Sequence, residues 1–286
     1  MTKTKLKNRK MYIRKIIKES QFLYGLLYWK RSGVCFFVTS KFIASFFVAI
    51  LFSINCYSQS DLKITQENKL SYFIIKAFNE YQSKNYYGAL NTCEETLKIF
   101  QNDSTTYNCQ GLIFLKLCQF EKAKIAFDNA IRYSKQFEDA YFNRGYLMAE
   151  MNNFKDAIDD YNMVIKINGS NNEAKLNRAL VNIETKEYEK SIEDLSELLL
   201  KDSNNITLLG NRAFAYFMSN NHVLSKVDCE RGLSIESKSR FFLKYSTLNE
   251  LALKDFTKFC LQYSKSKKAE VQFEIEIDSL AKEKCK

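Results

Sequence analysis

The tripeptide Asn-Arg-(Gly or Ala) occurs at Asn143-Arg144-Gly145, Asn177-Arg178-Ala179 and Asn211-Arg212-Ala213, and successive copies start 34 residues apart with no insertion or deletion. A strict period of this length marks an array of stacked helical hairpins, in which each unit buries its apolar face only against its neighbours. The chain of 286 residues has no proline and only eight glycines. That composition disfavours a turn-rich β sandwich and suits long helices. The expected fold class is all-α, an α-solenoid of helix–turn–helix units.

With units beginning at Leu70, Ser104, Glu138, Asn172 and Ile206, five repeats fill 70–103, 104–137, 138–171, 172–205 and 206–239. The eighth residue of each is Ala77, Gly111, Gly145, Ala179 or Ala213, and the twentieth is Ala89, Ala123, Ala157, Ser191 or Ser225. Small residues in two columns mark where the two helices of a hairpin touch. Tyr86, Phe120, Phe154, Tyr188 and His222 open the second helix, and Leu97, Ile131, Ile165, Leu199 and Leu233 follow at core spacing on it. Asn152-Asn153 and Asn220-Asn221 supply turn chemistry inside units, and Gly169 and Ser203-Asn204-Asn205 supply it between them.

This pattern resembles the tetratricopeptide repeat, most closely in Asp139-Ala-Tyr-Phe-Asn-Arg-Gly-Tyr146 followed by Phe154-Lys-Asp-Ala-Ile-Asp-Asp-Tyr161. The resemblance covers 170 of the 286 residues and implies a superhelix whose first helices line a concave surface. The chain departs from that family where Gln101, Lys135, Gly169, Ser203 and Ser237 stand in place of a unit-closing proline. Residues 240–286 read as a degenerate sixth pair, Phe241 to Leu253 and Phe256 to Tyr263, then a capping helix from Ala269 to Lys284. Val271 to Ile277 alternates as a strand would, but the preceding hairpins favour a helix.

The formal charge of +10 invites a nucleic-acid or membrane reading. Eleven of the 43 basic residues and one of the 33 acidic residues lie in 1–58, so the rest of the chain carries 32 of each. A phosphate-binding groove is therefore not expected. In the leader, an apolar stretch from Val34 to Cys56 is interrupted by Lys41, and its core from Phe42 to Ile54 is 13 residues. That fits a signal peptide, while the whole stretch could span a bilayer if Lys41 snorkels. Positive charge on its amino-terminal side predicts export of everything after residue 58 to a periplasmic or other extracytoplasmic compartment. Cleavage after Ser58, lipidation at Cys56 and a start downstream at Val34 or Val38 remain open. A second apolar patch, Phe22 to Trp29, sits within the basic region. Residues 59–69 read as a linker.

Asp160, Asp194 and Asp228 follow Arg144, Arg178 and Arg212 by sixteen residues, and the first two repeats lack both members. Joint presence and joint absence predict a structural ion pair between helices, within a unit or between neighbours. Asn143, Asn177 and Asn211 lie about 100° around the helix from each Arg. In the family this slot faces the concave side, where a ladder of Asn amides could hold a peptide backbone; the alternative is a solvated face. Tyr146, Leu180, Phe214 and Phe217 lie in neighbouring inner columns, which neighbouring helices could equally cover. Ile74, Phe142, Leu176 and Gly210 occupy the slots where some family members carry a lysine clamp, so recognition of an acidic chain terminus is not expected.

No catalytic, cofactor or metal site is expected. His222 is the one histidine of the chain and occupies an aromatic packing column. That rules out a two-His zinc site and disfavours a hydrolytic triad. None of the six cysteines after the leader forms a Cys-x-x-Cys pair. Cys93 and Cys229 read as small core residues, and a Cys93–Cys109 disulfide is conceivable if the domain is exported. The resulting expectation is a non-enzymatic scaffold that presents a concave groove to a peptide or helix of a partner protein, with membrane contact only through the leader. The alternative is a membrane-tethered envelope assembly factor that binds through its convex face and C-terminal helix.

Overall fold

The computed structural model describes residues 66–285, so the expectations about the leader, its processing and its membrane contact lie outside the described residues. Thirteen helices follow one another, and no strand occurs among the described residues. They are α1 (Gln66–Gln82), α2 (Tyr86–Ile99), α3 (Ser104–Lys116), α4 (Phe120–Tyr133), α5 (Glu138–Glu150) and α6 (Phe154–Ile167). Then come α7 (Asn172–Glu184), α8 (Tyr188–Lys201), α9 (Ile206–Met218), α10 (His222–Ile235), α11 (Arg240–Ala252), α12 (Phe256–Lys268) and α13 (Ile275–Lys284). Each odd-numbered helix from α1 to α11 pairs with the next, and each pair stacks on the following one. The first helices α1 and α3, α3 and α5, α5 and α7, and α9 and α11 also touch, and no comparable contact joins consecutive second helices. The first helices are therefore closer together, which puts α1, α3, α5, α7 and α9 on the inside of the curve.

Both small columns are buried, from Ala77 and Ala89 through Ala213 and Ser225. Gly111 shows why the column is small: a Cβ there would lie 2.3 Å from the Phe127 ring. Another column, Cys93, Phe127, Tyr161, Leu195 and Cys229, is at most 1% exposed throughout. It is the deepest part of the core, and its occupants vary widely in volume. In the second and third units small and large residues compensate across the hairpin, Gly111 against Phe127 and Gly145 against Tyr161, as close packing demands.

The turn inside each hairpin is closed by one repeated device. Lys84, Cys118, Asn152, Lys186, Asn220 and Lys254 all have φ between 56° and 65°. The next residue donates its N–H five residues back, as in Asn153 N to Met148 O at 2.8 Å and Glu187 N to Asn182 O at 2.8 Å. This is the left-handed helix stop that usually employs glycine. The turn between units needs no proline, because α2, α4, α6, α8 and α10 all end at the equivalent residue. Asp103, Asn171 and Asn205 then cap the following helices by accepting the N–H of Thr106, Ala174 and Leu208.

Three boundaries differ from expectation. Gln66 to Lys69, read as linker, already belongs to α1, because Gln, Glu and Lys are good helix formers with no breaker before Leu70. The helix ending near Tyr263 continues to Lys268. The capping helix does not begin at Ala269: Glu270 has φ 58°, residues 271–274 lie outside any helix, and α13 starts at Ile275.

Candidate interaction surface

The Arg and Asp columns meet. Arg144 donates Nε and Nη2 to Asp160 at 2.8 and 2.6 Å, Arg178 does the same to Asp194 at 2.9 and 2.6 Å, and Arg212 to Asp228 at 2.8 and 2.7 Å. The pair lies within a unit, joining first helix to second. The remaining Nη1 reaches back to the preceding unit's second helix, where it finds Asp128 at 2.6 Å, Asn162 at 2.5 Å and Ser196 at 3.0 Å. Each guanidinium thus stands in the gap between two successive outer helices and ties both to an inner one. Burial alone would lower the Arg144 pKa, but bonds from Asp160 and then Asp128 outweigh it and hold the group above its ordinary value. Burial also opposes ionisation of Asp128, yet Lys124 and Arg144 together hold its carboxyl below the usual range.

The three asparagines are not equivalent. Asn143 donates Nδ2 to Asn108 Oδ1 at 3.0 Å, so part of its amide is committed within the array. Asn177 and Asn211 are half-buried and make no hydrogen bond among the described residues. They sit in the same column of adjacent inner helices, three residues before Leu180 and Phe214 respectively. Tyr146 and Leu180 are half-buried. Phe214 and Phe217 pack edge-on against Tyr245 of α11, with centroids 5.7 and 5.2 Å away, so the next unit covers part of both rings. His222 lies 5.1 Å from the Phe217 ring and its Nδ1 is 3.3 Å from Asn249 Oδ1.

The third acceptor of each Arg was not expected from the sequence. Its signal was present: Asp128, Asn162 and Ser196 precede the Arg residues by sixteen, as the paired Asp residues follow by sixteen. Two further ion pairs were also missed, Lys175 with Glu197 and Lys226 with the buried Glu250 at 2.7 Å. The conceivable Cys93–Cys109 disulfide is not the bond formed. Those thiols are free and share a hydrogen bond that, with burial, pushes Cys93 up. The disulfide joins Cys260 of α12 to Cys285, with Cα atoms 5.3 Å apart.

Among the described residues no group of three or more His, Cys, Asp or Glu is placed to hold a metal ion. No helix among them is long and apolar enough to cross a membrane.

No family model matches the chain. Human sperm-associated antigen 1 is 39% identical over 61 residues, which is 21% of this chain and 7% of that protein's length. Among solved structures, MamA is 17% identical with a TM-score of 0.54, covering 59% of this chain and 92% of that one. YrrB, described as a TPR protein with an unusual peptide-binding site, is 16% identical with a TM-score of 0.56, covering 65% and 97%. PilF of Pseudomonas aeruginosa is 12% identical with a TM-score of 0.58, covering 76% and 98%. At these identities the likeness is one of fold. Residues 66–285 form an α-solenoid of stacked helical hairpins, the fold of the tetratricopeptide-repeat structures.

Proposed function

We propose that this chain is a non-enzymatic scaffold whose concave surface holds an extended segment of a partner protein outside the cytoplasm. The observation that carries the reading is the Asn177 and Asn211 pair, two half-buried amides in register on adjacent inner helices with no internal hydrogen bond among the described residues. An amide offers both a donor and an acceptor to a peptide backbone. Leu180 and Phe214 provide apolar contact beside them for alternate side chains, as extended-peptide recognition requires. The peptide-binding site named for YrrB supports this use of the fold, as does the HypK-bound state of the Naa15/Naa10 structure. Export is supported by the basic and apolar leader, and a disulfide between Cys260 and Cys285 fits an oxidising compartment. No nucleic acid is proposed as partner, because basic and acidic residues balance outside the leader.

The test is selection of displayed random peptides on the full chain, followed by affinity measurement. Asn177→Ala with Asn211→Ala should weaken the selected peptide by about tenfold, the effect of losing one or two net hydrogen bonds. Methylating the peptide's backbone nitrogens should do the same. Unchanged affinity in both cases would remove the asparagine role.

One observation favours the second reading. Val223, Leu224 and Val227 of the outer helix α10 are 59%, 41% and 53% exposed. Their equivalents are Lys155, Asp156 and Asp159 in α6 and Glu189, Lys190 and Glu193 in α8. This apolar patch on the convex face, where α6 and α8 carry charge, suits an assembly factor that docks through that face.

A further inference from the structure

The C-terminal helix α13 is held by little besides its disulfide. Ala281 is its one buried side chain, and Ile275 is 83% exposed. Its shortest polar tie to α12 is the Tyr263 hydroxyl, which donates to Asp278 Oδ1 at 2.6 Å. Cys260 and Cys285 line an open cleft of about 600 Å³, together with Tyr263, Lys267, Lys268 and Lys282. Of the three lysines only Lys267 forms an ion pair among the described residues, with Asp278 at 3.5 Å. The cleft therefore combines an accessible disulfide with surplus positive charge, in a volume that admits a small peptide thiol.

We propose that this cleft is a thiol–disulfide exchange site for an anionic low-molecular-weight thiol, and that exchange releases α13 from α12. The thiolate attacks one Sγ of the Cys260–Cys285 bond, forming a mixed disulfide. The S–S electron pair departs on the other Sγ as a thiolate, which then takes a proton from water. A second thiolate attacks the mixed disulfide at the sulfur of the first reagent molecule. This yields the oxidised reagent and the second cysteine thiolate, which is protonated in turn. Two reagent thiols are oxidised and one protein disulfide is reduced. The lysines favour the step twice, by concentrating the anionic reagent and by stabilising the departing thiolate. Without the bond, α13 keeps the contacts of Asp278 with Tyr263 and Lys267, Lys284 over the Phe256 ring and shallow packing, and the α12 flank around Tyr263 and Phe256 opens. The inference does not depend on which partner the concave face takes.

The test uses the oxidised full chain with glutathione as the anionic thiol and cysteamine as a cationic control. Reduction is followed by alkylation and mass spectrometry, with rates corrected for thiolate fraction. Glutathione should act about tenfold faster than cysteamine, as expected for local charge steering, and Lys267→Gln/Lys268→Gln/Lys282→Gln should bring the ratio near one. After reduction, amides of 275–284 should exchange faster with deuterium while those of α5 to α8 stay unchanged. Cys260→Ser/Cys285→Ser should reproduce that pattern without any reagent. Equal rates for the two thiols, a ratio unmoved by the lysine substitutions, an α13 still protected after reduction, or full chain purified without the bond would each overturn the proposal.

Discussion

Arg178 grips Asp194 through two parallel hydrogen bonds, of 2.9 and 2.6 Å, while its third nitrogen reaches Asn162 in the preceding unit. One side chain therefore fixes both the hairpin angle within a unit and the stacking of one unit on the next. Repetition at Arg144 and Arg212 makes this a ladder through the last three units. In a solenoid, where each unit touches only its neighbours, stability is roughly a sum of unit and interface contributions, and this ladder acts on both.

Asp194→Ala is expected to destabilise the array by about 2–3 kcal/mol, read from the urea midpoint. The magnitude is that of orphaning a buried charge, discounted because Arg178 retains 24% exposure. Arg178→Met with Asp194→Leu should recover most of the loss, since an apolar pair leaves no charge without a partner. A midpoint unmoved by the single substitution would deny the pair its role.

Lys186→Gly should stabilise the protein by roughly 1 kcal/mol, because Lys186 has φ 65° and glycine takes that conformation without a Cβ clash. Asn152→Gly, at φ 59°, should gain less, since asparagine tolerates the left-handed region. Thermal unfolding checks both. A lower melting temperature for Lys186→Gly would contradict the turn geometry.

Gly111→Ala should cost about 1–3 kcal/mol, as overpacking does, because the new Cβ would meet the Phe127 ring at 2.3 Å. Phe127→Leu in the same chain should restore part of the loss by making room. Additive losses in the double variant would argue against this contact.

Acid should weaken the ladder through Asp128. Its folded pKa lies below the ordinary value of 3.8, so its contribution is complete above about that pH and is lost as pH falls through the depressed folded value. Asp128→Asn should flatten the fall in urea midpoint below about pH 4. An unaltered acid slope would place the titration elsewhere.

The repeat was legible because the small columns and the Arg–Asp pairs recur at a fixed spacing, and spacing survives without coordinates. The turn at Lys186 was not, since a lysine in left-handed geometry is imposed by the hairpin around it rather than by its own preference. The inequality of the asparagines was equally hidden. Asn143 differs from Asn177 and Asn211 because Asn108 stands beside it, and the following unit has Phe142 and the next Leu176 in that slot. The Cys260–Cys285 bond depends on how the chain turns back after Glu270, where periodicity predicted an uninterrupted helix. The outcome at Phe214 and Phe217 turned on the degenerate sixth pair, whose Tyr245 is placed by tertiary packing.

The central claim is that the partner sits on the inner helices. Site-specific photo-crosslinking in cells tests it most directly, with a benzophenone amino acid placed at Asn177, at Asn211 and, for comparison, at Val227 and Glu193. The same covalent adduct should form from positions 177 and 211, and none from 193 or 227. Adducts from position 227 alone would contradict it and move the binding surface to the apolar patch on the convex face.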